Sequence, residues 1–283
     1  MHKIIDYPGV PVDHSIVQET QGILKNVRIP IRPHFGVMGL APKEADVVDS
    51  IPPGYFGGNI DNWRIGKGAT IYYPVAVPGG LFSVGDSHAA QGDSELCGTA
   101  IEMSLTGTFQ LVLHKMDKFT GSLAALNYPI LETQDEWVLH GFSFANYLEE
   151  LGPTAQQDIY KKSSIELALR DAFRKMRGFL MNTKGLSEDE AISLISVAVD
   201  FGVTQVVDGN WGIHVHHQEE PVRGHRDGLS AGFAGGEPNA AGPFSVRVSS
   251  AGAERKRDRS WHFPRGQLCQ CDGLTAQVRL KSR

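Results

Sequence analysis

Acidic residues and one histidine are concentrated between Gly57 and Glu102, in a segment rich in glycine. Asp86 and His88 are two positions apart, so a β-strand would place both side chains on one face. A carboxylate and an imidazole together suit zinc or another divalent metal ion. The many glycines predict a shaped loop here instead of a strand interior, and such a loop also lets both groups face one centre.

Further carboxylates lie at short spacing around this pair. Asp93 and Glu95 are close enough in sequence for one to bind a metal ion and the other to act as a base on water. Asp93 and Glu102 are rivals for these roles, and Asp61 adds a further carboxylate to the cluster. Asn59 carries an amide suited to binding a developing oxyanion. The alternative interpretation is structural, because Asp and Asn beside Gly are ordinary turn residues.

The composition limits the class of protein. The chain has 283 residues, of which 41% are hydrophobic and 21% charged, which is typical of a globular protein with a substantial core. No run approaches the roughly 18 apolar residues of a membrane-spanning helix, and we expect no secretory signal. Three cysteines fit a reducing compartment, and the net charge of -5 argues against a nucleic-acid binder.

Amino-acid usage changes after His214. The tail, 215–283, has 11 basic and 7 acidic residues, and it contains none of the 17 isoleucines of the chain. Gly, Arg, Ser and Ala dominate the tail without a helical or strand period, which predicts disorder or translation out of frame. A basic tail that binds an acidic partner is the less favoured interpretation. We therefore divide the chain into 1–214 and 215–283.

Residue patterns in the first region predict strands followed by helices. Predicted strands are Ala69–Val77, Thr106–His114, Glu136–Phe142 and Val203–Val207. Pro74 favours an edge or bulged position for the first strand. Helical spacing covers Asp158–Asn182, and a capping box beginning at Ser187 precedes a second helix, Ala191–Val199. This order predicts an all-β core with an α+β appendage.

Motifs within Phe56–Gly107 resemble those of the acetamidase/formamidase family. The segments GGNID, PVAVPG, SVGDSHAAQGDSE and CGTAIE occur here in order and at close spacing. Two flanking segments, HFGVMGLAP (His34–Pro42) and VTQVVDGNWGIH (Val203–His214), are similar to the family as well. The resemblance therefore covers about 1–214.

This resemblance implies hydrolysis of a short linear amide, such as formamide or acetamide, to a carboxylic acid and ammonia. It implies a divalent metal, with zinc expected and calcium as the alternative. It further implies a mainly β fold with a jelly-roll-like sandwich and an α+β C-terminal portion, a cytoplasmic location and a homo-oligomer. No membrane or nucleic-acid partner is expected.

Carried over residue by residue, the resemblance implies the metal ligands Asp61, Asp86 and His88 and the catalytic residue Glu95. From the residue types alone, we further predict Asp93 as a catalytic residue and Asn59 and Glu102 as substrate-binding residues. Glu95 is expected to act as the general base that passes a proton to the departing amine.

Departures from the family pattern carry their own expectations. Family members have an N-terminal β segment that nothing in this chain matches, so we expect an N-terminally truncated domain whose activity is lost or reduced. Ser94 stands where the family has glycine, and a positive φ at this position would strain the serine. A non-enzymatic β-sandwich binding module and a degraded remnant of the amidase family remain the alternative functions.

Overall fold

A computed structural model describes residues 27–44, 47–115 and 127–218, together with the backbone of Leu274–Leu280. Its first sheet has four antiparallel strands: β1 (His34–Gly39), β2 (Gly57–Asn59), β4 (Ser83–Ala90) and β5 (Ile101–Glu102). They lie side by side in the order β2-β1-β4-β5.

The second sheet is larger, and all of its neighbouring strands are antiparallel. Its strands are β3 (Thr70–Pro74), β6 (Phe109–Lys115), β7 (Ile130–Glu132), β8 (Glu136–Phe142), β9 (Val199–Gln205), β10 (Gly212–Gln218) and β11 (Leu274–Leu280). They lie side by side in the order β6-β11-β3-β7-β8-β10-β9. The helices are α1 (Tyr147–Glu150), α2 (Ala155–Lys162), α3 (Ile165–Lys184) and α4 (Glu188–Ala198).

Both faces of the second sheet are buried, which explains the apolar character of its strands. Ile71 and Tyr73 of β3 point into the core between the two sheets, where Met38 of β1 also lies. Tyr72 points the other way, into a core shared with Phe179 of α3. Because side chains alternate along a strand, one apolar run fills two cores. The result is a β-sandwich covered on one side by helices, which confirms the mainly β class with an α+β C-terminal portion.

The predicted helix over Asp158–Asn182 is two helices in the structure. The helix is interrupted at Ser163, whose backbone is extended. Ser164 then caps α3, because its side chain accepts a hydrogen bond from the Leu167 N–H. Serine at such a position competes with the helical backbone for hydrogen bonds, and the apolar spacing alone does not show this. The predicted capping box of α4 is confirmed at Ser187 and Glu190.

Two predictions about strands need correction. The segment containing Asp86 and His88 is strand β4, not a loop, and β1 pairs with it between Ser83 and His88. Strand β3 is not an edge strand, because β7 and β11 flank it, and Pro74 is only its last residue. Only one of the glycines that suggested a loop, Gly85, lies in β4, whereas Gly79 and Gly80 precede the strand and Gly92 follows it.

Part of the tail is ordered. Strand β10 continues past His214 to Gln218, because β8 and β9 pair with it along its length. Strand β11 is also ordered, and it lies between β3 and β6. The predicted boundary after His214 therefore falls within β10, and residues 219–273 of the tail lie outside the described part of the chain.

Close packing of α3 on β8 depends on one glycine. A Cβ on Gly141 would overlap the backbone nitrogen of Ala172, so we expect Gly141→Ala to destabilise the fold by about 1–3 kcal/mol through overpacking. Gly178 on the same helix has open space around its Cα, so Gly178→Ala should stabilise the protein by about 0.5–1 kcal/mol. Urea unfolding of both variants measures the two changes in the free energy of unfolding. Equal changes in the two variants would contradict this close packing.

Candidate active site

Pairing within the four-stranded sheet assembles the site. Strand β1 places His34 opposite His88 of β4, and β5 places Glu102 opposite His88 on the other side. Asp61 lies just after β2, and its backbone N–H donates to the Gly36 carbonyl at 3.1 Å. Segments far apart in sequence thus meet around one imidazole.

The His88 ring is buried between two groups of oxygen atoms. Its Nε2 lies 3.1 Å from Asp86 Oδ1 and 3.4 Å from Glu102 Oε2. Its Nδ1 lies 3.1 Å from Gln91 Oε1 and 3.9 Å from Asp61 Oδ1. Burial lowers the pKa of His88, but the carboxylates, Asp86 foremost, outweigh burial and raise this pKa to about 9. The site is therefore strongly attractive to positive charge.

Asp61 is the most buried carboxylate of the site. Its Oδ1 atom has no hydrogen-bond partner, and burial raises the pKa of the Asp61 carboxyl to about 6. Its φ is 53°, a conformation that non-glycine residues seldom adopt. A Cβ on Gly36 would overlap Asp61 Oδ1 and lie 2.7 Å from Asp86 Oδ2, so this position requires glycine.

Glu95 lies in the buried part of the site. Its φ is 45°, and burial, reinforced by the negative charge of Asp61, raises the pKa of the Glu95 carboxyl to about 8. The preceding residue, Ser94, stands where the family has glycine. Its φ is 78°, which is strained for a serine, as expected for this position. The Ser94 N–H donates to the Val203 carbonyl on β9 at 2.7 Å, which fixes the segment to the second sheet.

The arrangement offers two sets of metal-ligating atoms that share His88. In each set the ligand atoms lie within 4.8 Å of one another, with Asp61 and Glu95 in one set and Asp86 and Glu102 in the other. The first set is buried and the second opens to solvent at both carboxylates. Mixed carboxylate and imidazole ligands suit a divalent cation, and a buried carboxyl beside them suits proton transfer.

Five of the predicted site residues lie together in the structure: Asp61, Asp86, His88, Glu95 and Glu102. Asp93 is turned elsewhere, because its Oδ1 accepts a hydrogen bond from Trp63 Nε1 at 2.8 Å and lies 3.7 Å from Arg64. Asn59 is on β2, and its Oδ1 is buried without a partner.

Three residues of the site were not predicted as functional. His34 and Gln91 contact His88 directly, with His34 Nε2 and Gln91 Oε1 at 3.2 and 3.1 Å from His88 Nδ1. Asp208 is buried against the Asp61 carboxyl, and its Oδ2 has no partner. Burial, reinforced by Asp61, raises the pKa of the Asp208 carboxyl well above its usual value. All three lie in segments that the family resemblance covers, but their contacts depend on strand register.

An open cavity adjoins the site. It has a volume of about 440 Å³ and is lined mainly by apolar atoms, with Ile29, Ala90, Cys97 and Ile101 among its walls. Gln91 belongs both to this cavity and to the contacts around His88. A small ligand in the cavity can therefore approach the site from the side of Gln91.

Two buried histidines lie behind the site, in the second sheet. His140 and His214 are opposite one another on β8 and β10. Asn62, the neighbour of Asp61, lies with its Nδ2 2.9 Å from His140 Nε2. His214 is 3.0 Å from Thr204 Oγ1 and 3.2 Å from Arg64. Burial lowers the pKa of both imidazoles to about 3, so both are neutral near pH 7.

This protein is a β-sandwich with helices on one face and a buried centre of carboxylates and a histidine. The model of the Acetamidase/Formamidase family matches residues 43–210, which is more than half of the chain. The chain belongs to the acetamidase/formamidase family. Within the described residues no helix is both long and apolar enough to cross a membrane.

Individual relatives support this assignment. A formamidase of Methylophilus methylotrophus is 30% identical over 171 residues, covering 58% of this chain and 39% of that protein. An acetamidase of Mycolicibacterium smegmatis is 47% identical over 60 residues, covering 20% and 14%. The crystal structure of an acetamidase from Bacillus halodurans is similar with a TM-score of 0.51 and 26% identity, covering 68% of this chain and 56% of that one. The chain thus matches about half or less of the length of these relatives.

The buried histidines predict instability in acid. In the unfolded chain the pKa of histidine is about 6.5, so protonation favours unfolding as pH falls from there towards about 3. At pH 5 each imidazole should cost about 2 kcal/mol of stability relative to pH 7. The variant His140→Gln/His214→Gln should therefore lose less stability than the wild type between pH 7 and pH 5.

Urea unfolding at the two pH values measures this difference, and comparison with the wild type cancels the contribution of the site carboxylates. The single variant His214→Gln should remove about half of the effect. An unchanged pH dependence in the double variant would contradict it.

Proposed function

We propose that this protein is a metal-dependent hydrolase of short linear amides, with formamide or acetamide as substrate and a carboxylic acid and ammonia as products. The observation that carries the proposal is the buried centre around His88, in which Asp61 Oδ1 lacks a hydrogen-bond partner, in a member of this family. Relatives named formamidase and acetamidase support an amide as the substrate.

The donor set of the centre fits a divalent cation. We propose Asp61, Asp86 and His88 as its ligands, with Glu102 nearby at 3.4 Å from His88 Nε2. An unpartnered buried carboxylate oxygen is costly unless a cation or a proton neutralises it. An imidazole among the ligands favours zinc over calcium, which prefers six to eight oxygen atoms.

The reaction requires activation of a poor electrophile and protonation of a poor leaving group. A bound divalent cation would polarise the amide carbonyl and make water a better nucleophile. Glu95 accepts a proton from the attacking water and delivers it to the departing nitrogen as the C–N bond breaks. Because the pKa of the Glu95 carboxyl is raised to about 8, this group titrates close to neutral pH, where it can both accept and donate a proton.

Other residues bind or orient the reacting groups. Asn59, with its side-chain oxygen buried and unpartnered, is proposed to bind the substrate with its amide group. Glu102, at the solvent side of His88, borders the path of the substrate. For Asp93 we propose a structural role in place of the expected catalytic one, because its Oδ1 accepts a hydrogen bond from Trp63 Nε1 and lies 3.7 Å from Arg64.

We also propose that the protein works in the cytoplasm as a homo-oligomer, as the family resemblance implies. The chain spans only part of the length of its relatives, so activity of the 283-residue chain is itself part of the proposal.

Ammonia release from formamide and acetamide tests the function directly. The full chain should release ammonia when loaded with zinc and stop after chelation. We expect His88→Ala to abolish release and Glu95→Gln to reduce it by about 10²–10⁴-fold, because general acid–base catalysis contributes this much. Glu166→Gln, an exposed glutamate on α3, is the matched control and should leave release unchanged.

Release that persists after chelation would contradict the metal dependence. A folded, zinc-loaded protein that releases no ammonia from either amide would favour a binding module or an inactive remnant of the family.

A further inference from the structure

We propose that Gln91 and His34 are positioning residues that keep the His88 Nδ1–H directed inward, so that Nε2 is the nitrogen presented to a cation on the side of Asp86 and Glu102. The inference rests on the proposed metal dependence, and it specifies which ring nitrogen binds and what sets that choice.

The orientation of the Gln91 amide follows from one bond. Its Nε2 lies 2.6 Å from the backbone carbonyl of Asp61, and a carbonyl only accepts, so this nitrogen is the donor. The other end, Oε1, is therefore the atom that faces the two imidazoles, 3.1 Å from His88 Nδ1 and 3.0 Å from His34 Nε2. A carbonyl-type oxygen at this place requires an N–H from at least one ring.

The tautomer of His34 follows in the same way. Its Nδ1 lies 2.6 Å from the Arg32 carbonyl, so Nδ1 carries a hydrogen and donates. In the neutral ring Nε2 is then an acceptor, and it lies 3.2 Å from His88 Nδ1.

Two acceptors therefore converge on His88 Nδ1, namely Gln91 Oε1 and His34 Nε2. These two acceptors lie only 3.0 Å apart, so a hydrogen on His88 Nδ1 can be shared by both. A lone pair on His88 Nδ1 would instead leave three lone pairs facing one another in a buried space. The His34 ring also meets the His88 ring edge-on, with centroids 5.0 Å apart, which limits rotation of the imidazole.

The consequence concerns the opposite nitrogen. With Nδ1 protonated, the lone pair available for a metal is on Nε2, which lies 3.1 Å from Asp86 Oδ1 and 3.4 Å from Glu102 Oε2. A metal-bound histidine commonly donates its other N–H to an oxygen acceptor, which fixes the ring and strengthens metal binding. Gln91 additionally holds the backbone of Asp61, so one amide orients residues of both ligand sets.

Nitrogen-15 NMR of the zinc-loaded full chain tests the tautomer without any substitution. We expect His88 to show zinc bound through Nε2 and a slowly exchanging hydrogen on Nδ1. Zinc bound through Nδ1 would overturn this inference while leaving the proposed function intact. Failure of the wild-type protein to bind zinc, or any other divalent cation, would overturn both.

Zinc affinity of variants tests the positioning role. Gln91→Met has a similar shape but lacks both hydrogen bonds, and it should bind zinc about 10–100-fold more weakly, as removal of such partners typically does. The His88 Nδ1–H signal should also broaden or disappear. His34→Phe should weaken binding in the same direction, because it keeps a planar ring but removes the second acceptor.

Gln156→Met is the matched control. Gln156 also bridges two backbone groups, the Asp49 N–H and the Val47 carbonyl, but lies away from the site. This control should keep the wild-type zinc affinity and the His88 signal. If Gln91→Met keeps both as well, or if its loss of affinity merely matches that of the control, the positioning role is refuted.

Discussion

The pairing of β1 with β4 is the constraint on which the site depends. Its register places His34 opposite His88, and the missing side chain of Gly36 leaves room for the carboxylates of Asp61 and Asp86. A shift of one residue would turn His88 to the other face of the sheet. Apolar packing against the second sheet fixes this register, because Met38 and Val84 lie in the core between the sheets.

Strain and unfavourable burial are concentrated where that pairing brings charges together. Asp61, Asp86, Ser94 and Glu95 all have a positive φ, and two buried carboxylate oxygens have no partner. Such features cost free energy and persist only where the surrounding structure determines them. Hydrogen bonds from Ser94 to β9 and from Gln91 to the Asp61 carbonyl supply part of that support.

The second sheet contributes buried apolar side chains to two cores, one between the sheets and one beneath the helices. The turn after β9 brings Asp208 against Asp61, and Gln205 holds that turn by accepting hydrogen bonds from the N–H groups of Val207 and Asp208. The buried centre is therefore bounded by both sheets, with its solvent side at Asp86 and Glu102.

The sequence by itself determined the family, the mainly β class and the cluster of acids around His88, because motif order and residue type are local properties. It also predicted strand β8 and the capping box of α4, whose signals lie within a few residues. Strand register and long-range contacts belong to the tertiary structure alone. Only the tertiary structure shows that Asp93 lies apart from the cluster and that the segment with Asp86 and His88 is a strand. It alone also shows that His34, Gln91 and Asp208 contact the centre.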